Sequence, residues 1–401
     1  MTARPREHPS ETTDERGGLR PHAMKVVLVS HSGEIAGGAE LVLLELVTGL
    51  IARGVAVNVL LPGAGVLADR LEAAGARPWS VRYEWWAALR RSRADARWRT
   101  GRNLLAAVSM LPLLRRLDPD VVMTNTLTIP SAAVAAKALR IPHVWYLHEF
   151  GEKDHGLTFD LGLRSSVRLV NGLSARVIVN SRAIYDEFSR HIPSTKLRIA
   201  YCGVDVPDGL TRVSPSPERP FRLVLVGLKA PSKGQEDAIR AVGLLRERAR
   251  DVRLTLVGHS SPDYAPRLAR LARDVRADDV VDFVDFTEDR YRYFQQAHVA
   301  LMCSRSEAFG RVTVEAMKLG LPVIGADRGA TRELIRNEGT GLLYSHGDPS
   351  ELAERIDRLY RDRALRERLG RNAQEWARAT FSVARHTADV MDVLAEVIVA
   401  A

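Results

Sequence analysis

Short apolar runs without alternation recur along this chain. Each is followed by a turn and then by apolar positions at helical spacing. Lys25–Ser30 (KVVLVS) is the first run and Val55–Leu61 the second. A run with no apolar-polar alternation suits a strand buried on both faces, as in a parallel sheet. Between the two runs, Leu41, Leu44, Val47 and Ile51 recur at helical spacing and predict a helix over 40–53. Strand, glycine-rich turn, helix and strand make a βαβ unit. The rhythm continues with helices over 104–117 and 131–139, and strands over 120–123, 143–147, 177–180 and 197–201.

Residues 206–220 (VPDGLTRVSPSPERP) carry four prolines and no periodicity, which marks a linker. The α/β rhythm then restarts, with strands expected at 223–227, 254–258, 281–283, 299–303, 322–325 and 342–344. The predicted fold is α/β, with two doubly wound, Rossmann-like domains (24–205 and 221–380) and a cleft between them. In the terminal segment 381–401, the pattern predicts an amphipathic helix over 384–400; a return of this helix to the first domain is left open, since the sequence alone does not show it. Residues 1–23 are polar and read as a disordered tail, with Met24 as an alternative start.

Composition narrows the class. Of the 401 residues, 46 % are hydrophobic and 27 % charged, which suits globular domains with sizeable cores. The net charge of +9 favours an anionic partner: a nucleotide, a phosphorylated substrate, a lipid surface or nucleic acid. A basic proteome background accounts for it equally well. Cys202 and Cys303 are the two cysteines. Neither sits in a CxxC or near a histidine cluster, so a metal site and a disulfide framework are not indicated, and a reducing cytoplasm fits. No apolar run approaches the roughly 18 residues of a membrane span. The expected location is cytoplasmic, with peripheral contact at the inner face of the membrane left open.

Several groups could carry chemistry. The turn Gly33-Glu34-Ile35-Ala36-Gly37-Gly38 follows a strand and precedes a helix, where backbone N–H groups approach an anion closely. It is not GxGxxG, so a dinucleotide fingerprint is absent, and a plain tight turn explains it as well. Gly227-Leu-Lys-Ala-Pro-Ser-Lys-Gly234 sits in the same context and holds Lys229 and Lys233, which suit a diphosphate. For any isolated lysine, a solvated loop position is the simpler account. The segment from Ser304 to Gly347 is the most informative. Glu307 follows a strand and Glu315 lies inside the next helix, with Phe309-Gly310 between. Carboxylates accept hydrogen bonds from vicinal diols, so Glu315 suits a ribose and Glu307 a sugar ring. His148 ends the strand HVWYLHEF, where it could donate to a sugar hydroxyl. Tyr83–Arg99 interleaves aromatic residues with arginines. It suits an anionic membrane or an acceptor grip, or equally a helix that buries Trp85 and Trp86.

Together these residues resemble the retaining glycosyltransferases of family 4, which have the GT-B fold. The resemblance spans nearly all of 24–380. It rests on Glu307-Ala-Phe-Gly-Arg-Val-Thr-Val-Glu315 (an E-x7-E spacing), on Gly320-Leu-Pro-Val, Gly341-Leu-Leu and Lys233-Gly234, and on the turn Gly37-Gly38-Ala39-Glu40. It implies transfer of a sugar from a nucleotide-sugar donor to an acceptor hydroxyl with retained configuration. Glu307 would touch the donor sugar, His148 would lie near the reacting carbon, and Lys233 would neutralise the leaving diphosphate. Glu315 would hold the ribose. Gly37, Gly38, Gly227, Lys229, Phe309, Gly310, Arg311 and Val312 would complete the donor site. Acceptors in range are a glycan, a lipid-linked saccharide or a small metabolite; nucleic acid is not expected. The resemblance calls for no metal and no cofactor, and Asp118-Pro-Asp120, a DxD spelling, precedes a strand. One departure stands out. The family usually carries arginine directly after the strand-ending glycine, and here that residue is Leu228 with Lys229 next. A nucleotide-sugar epimerase on the same fold and a non-enzymatic basic binding protein are the alternatives. The second leaves the Glu307/Glu315 pair unexplained.

Overall fold

A computed structural model describes residues 23–89, 92–207, 209–210 and 220–401. The expected tail lies outside the described residues except for Ala23, as does most of the expected linker, namely 208 and 211–219.

Two parallel sheets organise the chain. In the first, seven strands run in the order Arg77–Ser80, Ala56–Leu61, Lys25–Val29, Val121–Thr124, His143–Leu147, Arg176–Val179 and Leu197–Ile199. In the second, six strands run in the order Val281–Val284, Val252–Val257, Phe221–Val226, Val299–Met302, Val323–Ala326 and Gly341–Tyr344. Every pairing in both sheets is parallel. The central strands are buried on both faces, which explains their unbroken apolar runs. The strand Arg77–Ser80 escapes the sequence pattern because its residues, RPWS, are only partly buried at an edge.

Strand order reverses beside Lys25–Val29 in the first sheet and beside Phe221–Val226 in the second. At such a switch point the two connections depart to opposite faces and leave a crevice at the C-terminal edge. The loops that follow these two strands are the glycine-rich turn 33–38 and the lysine loop 227–234. Each domain thus presents its switch-point loop.

The chain passes between the domains twice, once across 206–220 and again near Ser382. The last helix, Val383–Val399, packs on the first domain: Val390, Leu394 and Val397 join Leu43, Leu46 and Leu50 in one core. Gly49 and Thr387 lie so close that a Cβ on Gly49 would sit 2.1 Å from the Thr387 hydroxyl oxygen. Glu396 receives Nη2 of both Arg176 and Arg198 at 2.7 Å, fastening the helix to two strand starts.

The segment 83–99 divides. Trp86 is buried and stacks on Trp145 in the first domain, whereas Trp85 is 39 % exposed. Neither is helical. The helix begins at Arg93, eleven residues before the expected start, and runs to Leu117. Ser92 caps it, its hydroxyl accepting from the Asp95 amide.

Candidate functional site

The cleft between the domains holds a cavity of about 640 Å³. Its lining follows from topology. Loops after the strand ends at Val29, Thr124, Leu147, Val179 and Ile199 supply one wall, and those after Val226 and Met302 the other. The C-terminal edges of both sheets therefore face one space.

On the second-domain wall, Lys233 and Glu307 meet. Lys233 Nζ donates to Glu307 Oε2 at 2.8 Å. Lys233 ends a short 3-10 turn, and Gly234 follows with φ +68. No side chain fits there: a Cβ would sit 2.1 Å from the Cys303 carbonyl oxygen. That close approach joins the lysine loop to the strand leading to Glu307. Phe309, Gly310 and Arg311 also line the cavity. Gly310, at φ +95, turns the chain into helix Arg311–Lys318, whose first amides start there without a side-chain cap. Uncapped N–H groups beside a cavity favour an anion.

The first-domain wall differs in charge. Gly37 and Gly38 line it at the start of helix Gly38–Ile51. Beside them His31 Nε2 lies 2.9 Å from Glu40 Oε1, and Glu40 Oε2 accepts from the Gly37 amide at 3.0 Å. Burial works against the charged imidazole, but the Glu40 hydrogen bond and charge outweigh it and raise the His31 pKa. Glu149 and Asp154 also face this side. Among the described residues the lining lysine and arginine, Lys233 and Arg311, both come from the second domain.

His148 lies deep in the same wall. Its Nε2 is 2.8 Å from Asn125 Oδ1, and the Asn125 amide nitrogen donates to the Ala39 carbonyl at 3.2 Å. That orientation makes Oδ1 an acceptor, so Nε2 carries the proton. Burial, with His386 and His31 nearby, lowers the His148 pKa to about 3, so the ring is neutral at pH 7.

Four of the expected donor residues do not line the cavity, each for a physical reason. The Lys229 ammonium is buried and turned under the sheet edge, donating to the carbonyls of Gly258 and Val284, the latter at 2.6 Å. It cannot at the same time reach a diphosphate. Glu315 is fully buried, and both its oxygens are taken by Arg290 at 2.8 Å, with Arg311 Nε at 3.2 Å. The Gly227 amide donates to Val257 within the sheet extension, and the Val312 side chain packs into the second-domain core. Leu228 itself lines the cavity, 53 % exposed. Asp120 of the DxD spelling lies at the opposite sheet edge, accepting from the Lys25 amide. Among the described residues, no group of three or more His, Cys, Asp or Glu is placed to hold a metal.

Comparison with known proteins assigns this architecture. The model for Glycosyltransferase Family 4 matches residues 36–207, and that for Glycosyl transferases group 1 matches 210–376. The chain belongs to the family 4 glycosyltransferases. Its fold is GT-B. Anabaena HepE in complex with UDP superposes with a TM-score of 0.78 over 93 % of this chain and 100 % of that one, at 24 % identity. Sucrose-phosphate synthase from Thermosynechococcus elongatus gives 0.74 over 94 % and 100 %, at 21 % identity. Among curated relatives, the D-inositol 3-phosphate glycosyltransferase of Pseudarthrobacter chlorophenolicus is 31 % identical over 219 residues, 51 % of this chain and 52 % of that protein. Putative glycosyltransferase EpsD of Bacillus subtilis is 31 % identical over 162 residues, 40 % and 42 % respectively. The matched stretch thus spans about half the length of these curated relatives or less.

Within this family 4 chain, sequence reasoning missed His31 and Arg290, named Glu40 only as the end of the glycine turn, and read Trp85 only as part of segment 83–99 and not as a cavity residue. His31 directly follows a strand-ending serine, and Glu40 lies in the first turn of the next helix. That layout was a usable signal. Arg290 carried none, because its partner Glu315 is 25 residues away with a whole strand between them.

Proposed function

We propose that this chain transfers a sugar from a nucleoside-diphosphate sugar to an acceptor hydroxyl with retention of configuration, with no metal in the reaction. One observation carries the reading. In a cleft formed by two sheet edges, a lysine, a carboxylate and an uncapped helix N-terminus come together on the second-domain wall.

A leaving diphosphate needs fixed positive charge, and a preorganised cation with oriented amides supplies it without reorganisation. Lys233 and the amides of Phe309, Gly310 and Arg311 are the groups for that task. With diphosphate bound, Lys233 turns from Glu307 to phosphate oxygens, and the Glu307 carboxylate accepts from donor-sugar hydroxyls. Neutral His148, with its proton held at Nε2, serves as a positioning group and not as a cation. In this reading the departing phosphate oxygen takes the acceptor proton, so no protein base is needed. Glu315 holds Arg290 and Arg311, and a ribose reaches it only if that cluster opens.

The HepE structure contains UDP, so a uridine nucleotide is the first donor base to test. Calorimetric titration of UDP, GDP, dTDP and ADP, in EDTA, with Lys233→Ala and Glu307→Gln as controls, tests the donor site. Micromolar binding of one nucleotide that weakens in Lys233→Ala supports it. Absence of binding, or binding indifferent to Lys233, defeats it. The anomeric configuration of the product, read by NMR, decides retention.

A further inference from the structure

Helix Arg93–Leu117 is apolar on two faces. Its inner face is ordinary: Ala106, Ala107, Met110 and Leu114 are buried in the first-domain core. Its outer face is not. Trp98 is 56 % exposed, Leu104 57 %, Leu105 71 % and Val108 63 %. Positions 98, 101, 105, 108 and 112 share one side of a helix, so these residues and Pro112 make a continuous stripe. Arg97 stands at one end, and Arg115 and Arg116 at the other. Between Arg97 and Arg116 there is no Asp or Glu. The Arg102 guanidinium lies 4.8 Å over the Trp98 ring, so an aromatic and a cation share the surface.

We propose that this outer face docks on an anionic membrane, with the helix lying in the plane of the interface. Exposed leucine and valine gain by leaving water for the headgroup-acyl boundary, while the flanking arginines meet anionic headgroups. No helix among the described residues is long and apolar enough to cross a membrane, so this surface rests on the bilayer and does not span it. A second copy of the chain fits poorly. A twofold axis through the stripe sets Arg97 against Arg115 and Arg116 if the helices run antiparallel, and each arginine against its own copy if they run parallel. Residues 1–22 fit poorly too, since Met1 and Leu19 are their only large apolar side chains.

The docked helix is coupled to the cleft. Arg102 Nε donates to Glu84 Oε1 at 2.9 Å, and the next residue, Trp85, lines the cavity. Arg99 pairs with Asp160, its Nε 3.0 Å from Oδ2. Membrane contact therefore sets the rim of the first-domain wall beside the bilayer, where a lipid-borne acceptor would arrive. The docking itself does not depend on the transferase reading, and its test needs no substrate.

Co-sedimentation of the whole chain with phosphatidylcholine vesicles, with and without phosphatidylglycerol, tests the inference. The expected result is binding that requires phosphatidylglycerol and weakens with salt. A Leu105→Glu/Val108→Glu double variant should lower the partition coefficient by about tenfold or more. Both positions are exposed, and a matching thermal melt checks that the variant is folded. Equal binding to both vesicle types, no binding, or unchanged binding by the folded double variant overturns the proposal. So does a dimer that the double variant converts to monomer while vesicles bind neither protein.

Discussion

Arg311 Nη1 donates to Glu45 Oε2 at 2.6 Å, and the two residues belong to different domains. Glu45 lies on helix Gly38–Ile51 and Arg311 opens helix Arg311–Lys318, so the bond spans the cleft beside the cavity. Glu315 holds the same guanidinium from the other side, and Glu45 heads the influences that raise the Arg311 pKa against burial. Glu45→Gln removes the charge with little change of shape. The nucleotide-free protein should then open, with a larger radius of gyration in small-angle scattering. Identical scattering for the two proteins would show that other contacts set the closed state.

Lys233→Ala should weaken UDP binding about 10- to 100-fold, since a charge-assisted hydrogen bond contributes about 1.5–3 kcal/mol. Lys233→Arg should recover part of it. Equal affinity for wild type and Lys233→Ala would place the diphosphate elsewhere in the cleft.

Gly234→Ala should cost about 1–3 kcal/mol, because alanine at φ +68 is strained. The new Cβ also meets the Cys303 carbonyl oxygen. A fall in the chemical-denaturation midpoint with unchanged slope is the expected reading. A midpoint equal to wild type would mean that the loop relaxes freely.

Acid should destabilise the protein earlier than its carboxylates alone would suggest. His143 and His386 are buried and His148 is half-buried at the cavity wall, and in each case loss of solvation is the main cause that lowers the pKa to about 3. Unfolded, they titrate near 6.5. Between those values the unfolded chain binds more protons, so stability is full above about 6.5 and declines as pH falls, by up to about 1.4 kcal/mol per histidine per unit. His31 acts oppositely: its pKa is raised, so its contribution is complete below about 6.5 and fades as pH rises through the folded value. Three groups outweigh one. Melting temperature should drop between pH 6.5 and 4, and His386→Asn should flatten that slope. A flat profile over this range would contradict the buried neutral rings.

Local features of the site were legible in the sequence, and distant ones were not. The strand runs, the loops after Val29 and Val226, and the Glu307 segment follow from patterns within about a dozen residues. Lys233 and Glu307 were separate candidates, and their 2.8 Å contact appears only when strands 221–226 and 299–302 pair. Lys229 and Lys233 look alike in the sequence. What separates them is which one finds two carbonyls beneath a sheet edge. Glu315 reads as an exposed ligand of a diol until Arg290 is brought back against it across a strand. The early start of helix Arg93–Leu117 escaped because exposed Trp98 and Arg97, together with Arg99 turned inward onto Asp160, break the one-sided apolar pattern by which a helix is recognised.

The second passage between the domains has a consequence for folding. The core around Leu43, Leu46 and Leu50 is completed by Val390, Leu394 and Val397. The chain reaches those three residues only after the whole second domain. A fragment ending at residue 205 would leave that apolar face of helix Gly38–Ile51 open to water, so the first domain in sequence is the last to be finished.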